Sequence, residues 1–130
     1  MLSPSTLHQR PPRPQTVLIV EDSPDLRRIF ADALFWAGFR VEQADDGVTA
    51  LHMIENDPPD VLVLDIGLPA LDGLSVRDAV AANTETGDIP VVIVTGTEFT
   101  WNLRSDDRVL QKPVTPDRLV ATIRECLSAL

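Results

Sequence analysis

A single cysteine, Cys126, occurs among the 130 residues, so no disulfide can form within the chain. A protein without disulfides suits a reducing compartment such as the cytosol. No apolar run approaches the roughly 18 residues that a membrane span requires. The N-terminus also has neither the basic start nor the apolar stretch of a secretion signal. These absences predict a cytoplasmic protein with no contact with a membrane.

Basic residues are scarce relative to acidic ones. The chain has 11 lysines and arginines against 20 aspartates and glutamates, which gives a formal net charge of -9. Such a surface repels polyanions, so we expect no direct binding to nucleic acid. A partner protein with a basic patch could instead bind this acidic surface. Lys112 is the only lysine in the sequence.

The length of 130 residues suits one domain. Residues 1–15 contain four of the 11 prolines, few apolar side chains and no periodicity, which is typical of a disordered, Pro-rich tail or linker. From residue 16 onward, strand and helix patterns alternate without an internal repeat. We therefore assign residues 16–130 to a single α/β domain.

Short apolar runs without polar alternation recur along this domain. Runs of β-branched and aliphatic residues of this kind indicate strands buried on both faces, as in a parallel sheet covered by helices. Five strands are expected, at 17–20, 39–44, 61–64, 91–94 and 109–110.

Between the predicted strands, the spacing of apolar residues and the capping residues indicate helices. Ser23-Pro24 and Thr115-Pro116 each offer an N-cap followed by a proline in the first turn, and Asp46-Gly47 opens another helix. Gly38 marks the end of the first helix. Of the five helices expected, the fourth has only residues 96–107 for itself and its connections, which leaves room for about two turns. We expect that helix to be shortened or irregular.

Three of the apolar runs stop at residues that can bind a metal or a phosphoryl group, namely Glu21 with Asp22, Asp65, and Thr95. The carboxyl ends of parallel strands share one edge of a sheet, where ligands bind. Crowded carboxylates require a cation, and oxygen ligands favour Mg²⁺. We predict Asp22 and Asp65 as its direct ligands. Glu21 would act through water, and a backbone carbonyl near Gly67 would complete the protein's share.

The combination favours phosphoryl chemistry on Asp65, with its carboxylate as the nucleophile. Lys112 can pair with a phosphoryl oxygen as a compact charge, and the Thr95 hydroxyl can donate a hydrogen bond to another. Bound magnesium would let an anionic phosphodonor approach the anionic carboxylate. Singly, each of these residues is also ordinary turn or capping chemistry. Their order on successive strand ends favours the functional interpretation.

Four segments match a known family: residues 17–22, residues 61–69 with Asp72-Gly73, residues 91–96, and Lys112-Pro113. Over residues 16–130 the sequence resembles the receiver domain of two-component response regulators. The resemblance implies a flavodoxin-like (βα)5 fold, a doubly wound parallel sheet of strand order 2-1-3-4-5. It implies a switch rather than a turnover enzyme, in which a histidine kinase or a histidine phosphotransfer protein phosphorylates Asp65 with magnesium. It also implies a cis peptide bond before Pro113, which would aim Lys112 at the site.

The sequence departs from the family pattern at Val109, where relatives usually carry an aromatic residue that changes rotamer on activation. A β-branched valine has one dominant rotamer and no ring to bury, so we expect an altered readout of phosphorylation. The shortened segment between Thr95 and Lys112 lies on the face that carries dimerisation or output contacts in relatives, which leaves a homodimer open. In relatives, the positions of Gly67 and Thr97 tune water access and hydrolysis, and both residues are small here, so we expect an open site.

Three functions stay open at this point. The chain could be a phosphoacceptor receiver acting alone or as the terminal receiver of a larger protein. It could be the receiver half of a transcription regulator whose DNA-binding domain lies beyond Leu130. It could also be a degenerate receiver that serves as a phosphorylation-independent interaction module. A dinucleotide-binding or hydrolase function is weaker, because no Gly-x-Gly-x-x-Gly follows the first strand and no histidine stands at a strand end.

Overall fold

The computed structural model describes residues 13–68, 70–96 and 107–129. Its strands are β1 (Thr16–Val20), β2 (Arg40–Ala44), β3 (Val61–Asp65), β4 (Val91–Thr95) and β5 (Arg108–Gln111). Its helices are α1 (Pro24–Trp36), α2 (Gly47–Asn56), α3 (Gly73–Ala82) and α4 (Pro116–Ser128), numbered here in chain order.

The five strands form one parallel sheet in the order β2-β1-β3-β4-β5. The predicted α/β fold and strand order are therefore confirmed. All residues of β3 and β4 are buried, which explains why their sequences are uniformly apolar up to the last position. In the register, Val20 lies opposite Leu64, so β1 and β3 reach the same edge of the sheet together.

Alternate side chains of the central strands feed two separate hydrophobic cores, one on each face of the sheet. On one face Val17, Ile19, Val61 and Val63 pack with residues of α1 and α4, among them Phe30, Leu34, Leu119 and Ile123. On the other face Leu18, Val20, Leu62 and Leu64 pack with residues of α2 and α3, among them Ala50, Ile54, Val76 and Val80. Helices therefore cover both faces, as a doubly wound sheet requires.

Side-chain caps fix where the helices begin. The side chains of Ser23, Asp46, Asp72 and Thr115 accept hydrogen bonds from the N–H groups three residues further on, at 2.7–3.4 Å. These bonds satisfy N–H groups that have no partner inside the helix. The caps predicted at Ser23, Asp46 and Thr115 are thus confirmed, and Asp72 is a fourth.

The end of α1 determines where β2 begins. Gly38 has a φ of 100°, a conformation that a side chain disfavours. The N–H of Phe39 then donates to the Leu34 carbonyl at 3.1 Å, which closes the helix in a Schellman-like turn. Phe39 thereby belongs to the turn, and β2 starts at Arg40, one residue later than the sequence predicts.

Two predictions fall on residues that the structure does not describe. The shortened fourth helix was expected within residues 96–107, of which residues 97–106, including Thr97, lie outside the described ranges. Most of the predicted Pro-rich tail, residues 1–12, also lies outside them. Within the described ranges, no helix combines the length and apolarity needed to cross a bilayer.

A buried ion pair connects α3 to the residue that precedes β5. Arg77 Nη1 lies 3.4 Å from Asp107 Oδ2, and the two side chains are 14% and 1% exposed. Arg77 Nη2 also contacts Asp78 Oδ1 at 2.9 Å. Because both members of the Arg77–Asp107 pair are largely withdrawn from water, loss of either one removes a favourable charge interaction from the partner that stays buried.

Breaking this pair should therefore destabilise the fold. We expect Asp107→Asn and Arg77→Met each to lower the free energy of unfolding by about 3 kcal/mol, and the double variant to lose clearly less than the sum of the two. Urea unfolding of all four proteins measures this coupling. The exposed Arg28–Asp32 pair, 4.0 Å apart with side chains 84% and 68% exposed, is the control and should contribute under about 1 kcal/mol. Additive losses at Arg77 and Asp107 would contradict the expectation.

Candidate functional site

The carboxyl edge of the sheet gathers three acidic side chains. Glu21 and Asp22 follow the last residue of β1, and Asp65 is the last residue of the neighbouring strand β3. One carboxylate oxygen from each lies within 4.8 Å of the other two. Residues 43 positions apart along the chain can thus contact one ion, as the sequence predicts from the strand ends.

Lys112 enters the same cluster from the turn after β5. Its Nζ lies 3.3 Å from Glu21 Oε1 and 3.3 Å from Asp65 Oδ2. The Lys112 side chain is 31% exposed, whereas Glu21 and Asp65 are 3% and 11% exposed. A single ammonium group therefore bridges two largely buried carboxylates.

Backbone N–H groups hold the two buried carboxylates in place. Asp65 Oδ1 accepts a hydrogen bond from the Gly67 N–H at 3.1 Å, and Glu21 Oε2 accepts one from the Ser23 N–H at 3.2 Å. The remaining oxygens, Asp65 Oδ2 and Glu21 Oε1, are the ones that face Lys112. In each carboxylate, one oxygen is thus held by the backbone of its own loop, and the other oxygen contacts the Lys112 ammonium group.

Thr95 and the Lys112–Pro113 turn complete this edge. Thr95 ends β4 and is buried at 4% exposure, and its carbonyl accepts a hydrogen bond from the Lys112 N–H at 2.7 Å. The Lys112–Pro113 peptide bond is cis, as the resemblance implies. These contacts place Thr95 and Lys112 on adjacent strand ends beside Asp65.

The loop after β3 passes too close to Asp65 to tolerate a side chain at Gly73. A Cβ added at Gly73 would overlap the Asp65 carbonyl and the Ile66 backbone, and the Gly73 N–H donates to the Ile66 carbonyl at 3.1 Å. At Gly67, by contrast, an added Cβ would meet only Asp65 Oδ1, at 3.9 Å. Gly73 therefore allows the loop to fold back tightly, and Gly67 leaves space open beside the carboxylate.

The charges of the cluster shift one another's titration. Burial raises the pKa of Glu21 to about 7, and the adjacent Asp65 adds to the rise. Burial by itself would raise the pKa of Asp65, but hydrogen bonding with Glu21, the Gly67 N–H and the Lys112 charge outweigh it, so that pKa is lowered. Burial likewise opposes the charge of Lys112, yet the carboxylates of Glu21 and Asp65 prevail and raise its pKa.

The cluster suits an additional cation. The cluster contains three carboxylates and one ammonium group, and Glu21 Oε1, although buried, has no hydrogen-bond partner in the described part of the chain beyond its ion pair with Lys112. Carboxylate oxygens in this number are the donors that hard divalent ions such as Mg²⁺ prefer. The residues present therefore fit a divalent metal ion.

One contact of the cluster has no signal in the sequence. Arg27, in the first turn of α1, donates from Nη1 to the Glu21 carbonyl at 2.8 Å, which ties the helix to the acidic loop before it. Nothing in the local sequence pattern marks this role for Arg27. The Ser23 N–H could have been anticipated, since it belongs to the loop that caps α1.

Val109, the residue at the position of the usual aromatic, is half-buried in the structure. It lies opposite Ile93 in the sheet and packs against the hydrophobic core shared with α2 and α3. Its side chain thus contributes to that core.

A parallel sheet of this strand order, with three carboxylates and a lysine at its carboxyl edge, is the architecture of a receiver. The family profile described as the response regulator receiver domain matches residues 17–124. The chain belongs to this family, and the resemblance seen in the sequence is confirmed. It is therefore a receiver domain of a two-component signalling protein.

Individual relatives agree with this assignment. The response regulator MprA of Mycobacterium ulcerans is 35% identical over 117 residues, which cover 85% of this chain and 49% of MprA. The chain thus spans about half the length of the curated relatives it matches. The chemotaxis response regulator CheY4 of Vibrio cholerae is 28% identical with a TM-score of 0.78, covering 88% of this chain and 100% of CheY4. The receiver domain of the Francisella response regulator 1452 is 26% identical with a TM-score of 0.80, covering 88% and 98%.

The raised pKa of Glu21 predicts a pH-dependent loss of stability without metal. The folded state disfavours the charged carboxylate, so its contribution to stability is fully present below the ordinary pKa of 4.5 and is lost as pH rises to about 7. Glu21→Gln stays neutral throughout. In EDTA, we therefore expect the free energy of unfolding of Glu21→Gln, relative to the unmodified chain, to increase as pH rises through this window.

Urea unfolding at a series of pH values measures this difference. Glu55→Gln, which removes an exposed carboxylate on α2, is the matched control for loss of one acidic group. A difference between Glu21→Gln and the unmodified chain that does not change with pH would show that Glu21 does not titrate in this window.

Proposed function

We propose that this chain is a phosphoacceptor switch, in which a histidine kinase or a histidine phosphotransfer protein transfers a phosphoryl group to Asp65. The observation that carries the proposal is the setting of the Asp65 carboxylate. It lies in a half-enclosed acidic cluster, with Lys112 Nζ 3.3 Å from Oδ2 and open space beside Gly67. The pKa of Asp65 is lowered, so burial does not prevent its carboxylate from being ionised near neutral pH.

Asp65 and Lys112 divide the chemistry between them. The carboxylate attacks the phosphorus atom of a phosphohistidine, the P–N bond breaks, and the histidine imidazole leaves as the aspartyl phosphate forms. Lys112 then pairs with an oxygen of the phosphoryl group instead of the bare carboxylate, which is a short move because its Nζ already contacts Asp65. The Thr95 hydroxyl donates a hydrogen bond to another phosphoryl oxygen, from a strand end adjacent to that of Asp65.

Magnesium is the cofactor we assign to the acidic cluster. Asp22 and Asp65 would hold it directly, Glu21 through water, and the Gly67 carbonyl would complete the protein ligands. Their carboxylate oxygens lie within 4.8 Å of one another, which supports the shared site. When bound, Mg²⁺ neutralises charge on the phosphoryl oxygens during in-line transfer. Asp65 would act as both ligand and nucleophile, which its closeness to Glu21 and Asp22 and its contact with Lys112 support.

The output of the switch is a change in a partner-binding face. We assign residues 16–130 to the receiver unit and place the protein in the cytoplasm, where its phosphodonor acts. The receiver contributes no direct nucleic-acid contact because of its acidic charge. Val109 packs into the core shared with α2 and α3, so the face that includes β5 responds differently from one that carries a mobile aromatic ring.

The length of the relatives favours a second candidate. The matched response regulators are about twice as long as the aligned region, so the same receiver could control an output domain in a longer protein. Determining the full open reading frame separates this arrangement from a receiver that acts alone. A degenerate, phosphorylation-independent module has less support, because Asp22, Asp65, Thr95 and Lys112 are all present.

Phosphorylation itself is testable with a small phosphodonor. Incubation with acetyl phosphate and Mg²⁺ should add one phosphoryl group to the intact chain, measured by mass spectrometry. Asp65→Asn should abolish the added mass, because the amide is not a nucleophile for this transfer. Asp88→Asn, which alters an exposed aspartate before β4, is the control and should be labelled fully. Equal labelling of Asp65→Asn, or labelling that persists in EDTA, would refute the assignment.

The altered readout is testable by NMR with beryllofluoride as the phosphate mimic. We expect large amide shift changes around Asp65 and the loop after β1, and smaller ones in residues 107–129, because Val109 has no ring to move. Val109→Tyr should enlarge the changes in residues 107–129. A large response confined to residues 96–130 in the unmodified chain would count against this expectation.

A further inference from the structure

An open groove lies at the end of the molecule opposite the acidic cluster, where the strands begin and α1 and α4 end. It consists of two adjoining depressions that share Pro14, Gly38 and Phe39. The larger depression encloses about 840 Å³, which is enough for several side chains of a bound peptide.

Aromatic side chains stand exposed on one side of this groove. Phe35 lines it and is 63% exposed, and the next residue, Trp36, is 84% exposed. Their rings contact each other edge-to-face with centroids 5.7 Å apart. Phe39 and Leu127 add further apolar surface in the groove itself. Large aromatic side chains that meet on a surface are typical of protein interaction sites.

The groove is basic, although the chain as a whole is acidic. The charged residues that line the two depressions are Arg13, Arg40 and Arg124, with no carboxylate among the described lining residues. The whole sequence, in contrast, has 20 acidic against 11 lysine and arginine residues. Arg124 Nη2 donates to the Ala37 carbonyl at 3.4 Å, which holds its guanidinium at the groove.

Two aspartates lie beside this basic surface. Asp57 and Asp60 line a neighbouring depression together with Arg13 and Arg40. Among the described residues, neither aspartate forms an ion pair with these arginines, and Asp60 Oδ2 instead accepts the Thr16 N–H at 2.7 Å. The arginines thus keep their charge available toward the groove.

We propose that this groove is a docking surface for a short acidic segment of a partner protein that carries apolar side chains among its carboxylates. The arginines would pair with the carboxylates, and Phe35, Trp36 and Phe39 would take up the apolar side chains. Guanidinium groups beside exposed aromatic rings are the combination that interfaces favour.

Charge and size favour an acidic peptide segment over two other possible occupants, the N-terminal residues of the chain and a nucleic acid. Residues 1–12 of the chain itself contain no acidic residue and one arginine, so they do not complement the groove. A nucleic acid would extend beyond the groove over the rest of the protein, and it would be repelled there because the chain has a net charge of -9. A short acidic segment contacts the basic end alone.

Selection of peptides from a random phage-displayed library on the full chain tests the proposal. Selected peptides should be rich in aspartate or glutamate together with tryptophan, phenylalanine or leucine. Synthesised and titrated against labelled protein, such a peptide should shift the amide signals of residues 35–41 and 124–128. Its Kd should weaken with added salt, as expected for pairing between exposed charges.

Matched variants separate charge from packing. Arg40→Glu and Trp36→Ala should each weaken the Kd of the selected peptide about tenfold, since both remove contacts at an exposed interface. Arg118→Glu makes the same charge change in the first turn of α4, at the other end of that helix, and Val48→Ala truncates another exposed apolar residue. Both controls should leave the Kd unchanged.

Several results would overturn the proposal. Selected peptides without acidic bias, or peptides that bind Arg40→Glu as well as the unmodified chain, would remove its basis. Sedimentation showing self-association that Trp36→Ala abolishes would assign the groove to a second copy. Deletion of residues 1–12 that shifts the signals of residues 35–41 would assign it to the chain's own N-terminal segment. Binding of a single-stranded oligonucleotide that Arg40→Glu abolishes would assign it to nucleic acid.

Discussion

The crowding of carboxylates around Lys112 is the constraint on which the site depends. Glu21 and Asp65 are both largely buried, and one ammonium group lies 3.3 Å from each. Burial, reinforced by the adjacent Asp65, raises the pKa of Glu21, whereas, despite burial, hydrogen bonding with Glu21, the Gly67 N–H and the charge of Lys112 together lower that of Asp65. Asp65, the residue proposed as nucleophile, therefore stays ionised, whereas the charged form of its neighbour Glu21 is disfavoured.

The sheet holds these carboxylates close together. Strands β1 and β3 are adjacent and in register, so the residues that end them cannot separate without breaking two hydrophobic cores. The loops contribute as well, because Ser23 and Gly67 donate N–H groups to Glu21 and Asp65 and Gly73 permits the tight return to α3. The stability of the fold thus maintains an arrangement of charges that is unfavourable in itself, which is common where function requires it.

The two ends of the molecule have opposite character. The carboxyl edge of the sheet concentrates acid around Asp65, the proposed phosphoacceptor, whereas the opposite end combines arginines with exposed aromatic rings. Helix α1 connects them, since its first turn contacts the Glu21 carbonyl through Arg27 and its last residues are Phe35 and Trp36. The proposed phosphoryl chemistry and the proposed partner docking would therefore occupy separate surfaces of one small domain.

The strands and helices of the described residues, and the convergence of Asp22, Asp65 and Lys112, could be predicted from the sequence. Unbroken apolar runs encode buried parallel strands, and capping residues encode helix starts, because both depend on neighbours within a few positions. The tertiary structure decided the Arg77–Asp107 pair, the contact of Arg27 with Glu21 and the grouping of arginines around Phe39. These contacts join side chains that become neighbours only when the helices and strands pack together, and the periodicity of the sequence does not indicate such pairings. The raised pKa of Glu21 belongs with them, since burial and a neighbouring charge exist only once the chain has folded.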